Sequence, residues 1–145
     1  MHETRDELRK FNYMSTEIGG LYHEAAFKAG VSDSVQSILY VLYAENFRCL
    51  QSEIYKQSGI ARQTINSAIQ RLERDGMLYL EPGKGRNTIV SLTEKGIRFA
   101  EEKIAPLYHI ENDIFAEWSQ DEVETYLKLM ARYRDALREK LNRLF

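Results

Sequence analysis

The chain has 145 residues, 29% of them charged and 43% hydrophobic, with 8 glycines, 2 prolines and one cysteine. A chain of that length buries roughly two-thirds of its unfolded surface. Its core needs no disulfide staple, and the composition excludes collagen-like, low-complexity and wholly disordered classes. Apolar runs fall far short of the ~20 residues of a membrane span. The start, with His2, Glu3, Arg5, Asp6 and Glu7, is charged unlike a secretory signal. Lone Cys49 permits neither an internal disulfide nor a multi-cysteine zinc site. A cytoplasmic protein with no membrane partner and no cofactor is expected.

The net charge of −2 hides an uneven distribution. Between Asn46 and Gly96 eight basic residues face five acidic ones, a net +3, whereas the flanks together carry −5. A mildly basic centre can meet a polyanion while acidic ends avoid it.

In chain order, Leu8, Phe11, Met14, Ile18, Leu21, Tyr22 and Ala25 recur at spacings of three and four. They predict one amphipathic helix from about Glu3 to Ala29, ended by Gly30. Ser32 or Asp33 can cap a second helix with Val35, Ile38, Leu39 and Leu42 inward, fading near Glu45 and Asn46. A short third helix is expected from about Gln51 to Ser58. Gly59 suits a tight turn, and a fourth helix from about Ala61 to Asp75 buries Ile65, Ala68, Ile69 and Leu72. Its opposite face carries Gln63, Asn66, Ser67, Gln70 and Arg74.

After Gly76, residues Met77 to Glu81 and Thr88 to Leu92 read as two strands of a hairpin with the tip Pro82-Gly83-Lys84-Gly85-Arg86-Asn87. Thr93 can cap a fifth helix to about Ile110, bent near Pro106. Ser119 and Glu122 form a capping box for a sixth helix, in which Val123, Leu127, Met130, Leu137, Leu141 and Leu144 keep a four-three spacing broken only by Arg134. Leu141 to Phe145 are apolar enough to pack on the first helix or on a second subunit.

The expected fold is therefore mainly α with a small β-hairpin: a six-helix winged helix-turn-helix, dimeric. Residues 1–30 and 97–145 form the dimerisation region and 31–96 the winged lobe. Such a lobe suits double-stranded DNA, because a helix fits the major groove and a hairpin reaches sideways to backbone or minor groove. Gln63, Asn66 and Gln70 carry paired donors and acceptors for base edges, and Thr64 and Ser67 can bond bases or phosphates. Arg62, Arg71 and Arg74 are expected to neutralise phosphates, or in one case to read guanine. Arg86 at the slender tip can enter a narrow minor groove, with Lys84 adding a phosphate contact. The plain alternative for the helix face is solvation.

These residues also resemble a known family. Leu50-Gln51-Ser52-Glu53-Ile54, Ser58-Gly59-Ile60-Ala61-Arg62-Gln63-Thr64-Ile65, Arg71-Leu72-Glu73-Arg74-Asp75-Gly76, and Arg86 six residues before Leu92-Thr93-Glu94-Lys95-Gly96 are similar to the MarR winged-helix transcription factors. The resemblance implies a homodimer held by the first, fifth and sixth helices, with two lobes on a pseudo-palindromic operator. The leading expectation is a repressor. The family often binds small aromatic or phenolic effectors, and Tyr13, Tyr22, Tyr40, Tyr43 and Phe47 are candidates by helical position to line such a pocket, with ordinary core packing as the plain alternative. Two departures stand out. Lys84-Gly85-Arg86 replaces the family's common Asp-x-Arg in the wing, and Ala61 stands where a capping Ser is common, at a cost of about 1 kcal/mol.

Other functions find less support. The histidines, His2, His23 and His109, lie in no catalytic or metal-binding motif. Gly83-Lys84-Gly85 lacks P-loop spacing. Two alternatives to the regulator are a winged-helix protein-interaction module and a thiol-based redox sensor using Cys49, activated if Arg48 stabilises its thiolate.

Overall fold

The computed structural model describes residues 4–144. His2, Glu3 and Phe145, which the sequence reading included, lie outside them. The chain divides into two compact units, residues 1–108 and 109–145.

In the first unit, α1 (Arg5–Ala29) ends at Gly30, whose φ of 76° places it in the left-handed region. The Gly30 and Val31 N–H groups then reach back to the Phe27 and Ala26 carbonyls at 3.1 and 3.0 Å, closing the helix end. Ser32 Oγ accepts from the Val35 N–H at 3.2 Å and so starts α2 (Asp33–Ala44). Ile38, Leu39 and Leu42 of α2 are fully buried and form the middle of the core. Buried Gln36 is satisfied by donating Nε2 to the Tyr22 carbonyl at 3.0 Å, which ties α2 to α1.

After α2 the backbone turns through Asn46 and Phe47, both at positive φ, and enters a strand absent from the sequence expectation, β1 (Arg48–Leu50). The Phe47 carbonyl accepts from the Leu92 N–H at 2.9 Å, which seats β1 beside a strand more than forty residues later. α3 (Gln51–Ser58), α4 (Arg62–Arg74), β2 (Leu78–Pro82), β3 (Thr88–Leu92) and α5 (Glu94–Lys103) follow. The hairpin is thus part of a three-stranded antiparallel sheet in the order β1-β3-β2, with Val90 opposite both Cys49 and Leu80. Ile54 of α3, Ile65 and Ile69 of α4, Leu78, Val90 and Ile104 join the α2 residues in one core.

Seven helices are described, not six. The expected fifth helix is interrupted at Ile104, and α6 (Ala105–Ala116) continues beyond Ile110. Pro106 is the cause, because it offers no N–H to the Glu102 carbonyl and its ring crowds that turn. In the first turn of a new helix the same proline is tolerated. Thr93 caps α5 as its sequence predicts, with Oγ1 accepting from the Gly96 N–H at 3.1 Å. The fold is mainly helical with a small antiparallel sheet, a winged helix-turn-helix.

The second unit consists of the remainder of α6 and α7 (Gln120–Leu144). The capping box forms: Glu122 N–H donates to Ser119 Oγ at 3.1 Å and Ser119 N–H to Glu122 Oε1 at 2.9 Å. This bonding holds the Glu122 carboxyl below its ordinary pKa. Phe115, Trp118 and Tyr126 pack edge to face at the bend. Leu127, Met130, Leu137 and Leu141 remain exposed along α7.

Candidate nucleic-acid interface

The helix-turn-helix is α3, the Gly59 turn and α4. Gly59 has φ 66°, which a side chain rarely adopts. Ser58 Oγ takes the Ile60 N–H at 3.2 Å and fixes the way the chain leaves the turn. On α4 the division of faces follows the helical period: Ile65, Ala68, Ile69 and Leu72 are buried, whereas Arg62, Gln63, Thr64, Ser67, Gln70, Arg71 and Arg74 are exposed. Neither Leu50 before α3 nor Ala61 before α4 supplies a side-chain cap. The first N–H groups of both helices therefore have no capping side chain to accept from them.

Asn66 is placed differently from its neighbours. It is half-buried, and its Oδ1 accepts from the Tyr55 hydroxyl and from Gln51 Nε2, the latter at 3.1 Å. The Arg62 guanidinium lies 4.7 Å from the centre of the Tyr55 ring, a cation–π contact. Gln51 and Tyr55 were missed by the sequence reading. Their i, i+4 spacing puts them on one face of α3, but only the folded turn brings that face to Asn66 and Arg62.

The β2–β3 connection makes the wing. Gly83 N–H bonds the Asn87 carbonyl at 2.8 Å and Asn87 N–H the Lys84 carbonyl at 3.2 Å, with Gly85 at φ 64°. This tight turn leaves Lys84 and Arg86 exposed. Arg48 and Glu81 pair at 3.4 Å on the strands below it. Arg86, Asn87 and Thr88 of the wing line a cleft of about 330 Å³ together with Gln51, Ser52, Tyr55 and Arg62. The cleft holds two guanidinium groups and no carboxylate among its lining residues. Arg71 instead borders a second cavity, about 240 Å³, with Asp75, Val35 and Phe99.

The MarR family model matches residues 29–86, from the end of α1 to the wing tip. Over this segment the chain is similar to the MarR family's winged helix-turn-helix. Solved structures extend the fold likeness to nearly the whole chain. A MarR family regulator from Neisseria meningitidis superposes with a TM-score of 0.84 at 16% identity, covering 96% of this chain and 99% of that one. The S. aureus MepR–DNA complex gives 0.64 at 19% identity, covering 94% and 98%. The PcaV regulator from Streptomyces coelicolor, solved with its natural ligand, gives 0.61 at 21%, covering 87% and 92%. No curated protein matches the sequence.

Away from the polar face of α4, the aromatic residues separate into two groups. Tyr13 and Tyr22 are exposed on α1. Tyr40, Tyr43 and Phe47 gather with Tyr108, with ring centres 5.3 to 5.9 Å apart. Neither cavity described above is lined by any of the five. Cys49 is half-buried, and its thiol is pushed up to about 11, first by burial and then by Glu45 and Glu53. Arg48 points its guanidinium at Glu81. His23 Nδ1 lies 2.9 Å from both Asp33 oxygens. Among the described residues no three His, Cys, Asp or Glu side chains form a metal-holding group, and no helix is long and apolar enough to cross a membrane.

Proposed function

We propose that this chain is a homodimeric, non-enzymatic transcriptional repressor of the MarR type. It works in the cytoplasm, binds a pseudo-palindromic operator in double-stranded DNA, and is released by a small aromatic or phenolic effector. The observation that carries the reading is the convergence of α3, the start of α4 and the wing on one cleft containing Arg62 and Arg86 without a compensating acid. Two uncompensated guanidiniums beside two helix N-termini form a site for phosphate. The exposed polar face of α4 lies next to it for the bases.

Residues 31–96 would be the DNA-binding lobe, with Arg62, Gln63, Thr64, Asn66, Ser67, Gln70, Arg71, Arg74, Lys84 and Arg86 as its contacts. Residues 1–30 and 97–145 would hold the dimer. Apolar side chains line the exposed faces of α1 and α7, including Leu8, Phe11, Met14 and Ile18 on the first and Leu127, Met130 and Leu137 on the second. Surface of that kind calls for a partner, and a two-fold dimer matches two lobes to half-sites one helical turn apart. The MepR–DNA complex and the ligand-bound PcaV show the same fold in those two settings. An effector then acts through its different affinity for dimers of different lobe spacing.

Selection from a random duplex library, followed by affinity measurements across a salt series, tests the reading. An enriched inverted repeat with a steep fall of log affinity against log salt is expected. Salt-indifferent binding to protein alone would instead mark an interaction module.

A further inference from the structure

Asn66 stands on α4 between Gln63 and Gln70, yet it does not present both halves of its amide. Two donors converge on its Oδ1, the Tyr55 hydroxyl and Gln51 Nε2. Gln51 Nε2 also donates to the Tyr55 hydroxyl at 2.7 Å, so the three side chains close one network between α3 and α4. A carbonyl oxygen has two lone pairs, and here each meets a donor from α3. What remains for an incoming ligand is the Asn66 Nδ2 group, which can only donate.

That restriction has a meaning in the major groove. An asparagine reads adenine by donating to N7 while accepting from the N6 amino group, which needs both ends of the amide. Guanine shows two acceptors, O6 and N7, whereas cytosine shows only a donor. Turning Asn66 to suit adenine would also leave the partly buried Tyr55 hydroxyl without its acceptor and take one of two acceptors from Gln51 Nε2. We propose that Tyr55 and Gln51 are specificity-determining residues of the lobe: by holding Asn66 Oδ1 they make Asn66 a donor-only reader that selects guanine over adenine and cytosine. The preference applies to one base pair in each half-site and is set before DNA arrives. The inference rests on the DNA-binding reading above.

Tyr55→Phe isolates the hydroxyl, because the ring that supports Arg62 at 4.7 Å is kept. Full-length wild type, Asn66→Ala and Tyr55→Phe are each put through selection from a random duplex library, with thermal melts to confirm folding. Wild type is expected to enrich an inverted repeat, and Asn66→Ala to lose preference at one guanine per half-site. Tyr55→Phe should lower the guanine-over-adenine ratio at that same position by about tenfold while leaving other positions unchanged.

The proposal is overturned if the Asn66-dependent base is adenine in wild type, if Asn66→Ala alters no position, or if folded Tyr55→Phe keeps the wild-type preference. Should Tyr55→Phe not fold, Gln51→Ala removes the other donor and must move the same position toward adenine; an unchanged preference overturns the idea. Failure of wild type to enrich any sequence would instead remove the DNA reading itself, and this inference with it.

Discussion

Arg62 and Arg86 line the same cleft, although one opens α4 and the other stands at the tip of the wing. The other lining residues, Gln51, Ser52, Tyr55, Asn87 and Thr88, bring hydrogen-bonding groups but no negative charge. A concave surface with two unneutralised cations concentrates its field on an anion in the cleft. The whole-chain charge of −2 conceals this local arrangement.

Arg86→Ala removes one of the two cations without touching the core, since Arg86 is exposed on a loop. DNA affinity should fall by roughly tenfold at moderate salt, and the slope of log affinity against log salt should shrink by about one. Fluorescence anisotropy over a salt series measures both. Affinity and slope equal to wild type would show that the wing does not touch DNA.

Ala61 precedes α4 with extended backbone, φ −55° and ψ 138°, and makes no side-chain cap. A serine there places a hydroxyl where the N–H groups of the first turn need an acceptor. Ala61→Ser is therefore expected to stabilise the protein by about 1 kcal/mol in urea unfolding. A loss of stability would contradict the geometry of the turn.

Gly96 lies against the Met77 carbonyl so closely that a Cβ at this position would overlap the oxygen. That oxygen also accepts the Thr93 N–H at 3.0 Å, and Thr93 Oγ1 donates to the Gly76 carbonyl at 2.6 Å. The start of α5 is thus clamped to the chain leaving α4. In an open helix Gly→Ala gains up to about 1 kcal/mol. Here the backbone must shift, and Gly96→Ala should instead cost about 2 kcal/mol or more. A urea midpoint at or above wild type would disprove the contact.

Cys49 offers a test by pH. Its pKa rises from an ordinary 9.0 to about 11 in the fold, with burial the largest cause. Between those values the unfolded chain has released the thiol proton and the native one has not. The contribution to stability is therefore complete below pH 9.0 and is lost as pH climbs to about 11. Cys49→Ala should flatten the alkaline limb of the stability curve. At pH 8 the native thiolate fraction should be about a hundredfold below that of a free cysteine. Iodoacetamide should accordingly label native protein far more slowly than unfolded protein. Rapid native labelling would revive the redox-sensor reading.

The parts legible in the sequence were those decided within a few residues. Ser32, Thr93 and the Ser119–Glu122 pair each cap a helix three residues away, and the buried faces of α2 and α4 follow their 3.6-residue period. What escaped reading depends on distant partners. β1 is only three residues long and exists because β3 lies beside it. The Gly96 contact needs Met77, and the orientation of Asn66 needs Tyr55 and Gln51. Pro106 marked a disturbance legibly, but not whether the chain would bend there or restart as α6.

The exposed apolar row of α7 provides the test of the dimer. Leu127, Met130, Leu137 and Leu141 are each about half exposed, and their four-three spacing keeps them on one stripe of the helix. Burying such a row against a second copy removes several large side chains from water at about 25 cal/mol per Å² of apolar surface. Met130→Glu together with Leu137→Glu would place two charges in that contact, where desolvation is costly. Neither side chain belongs to a buried core, so folding of the chain should survive, as circular dichroism would show. Sedimentation should then find a dimer for wild type and a monomer for the double variant. DNA affinity should fall steeply, because a single lobe engages only one half-site and loses the gain of a linked second one. A double variant that remains dimeric would take this face of α7 out of the interface.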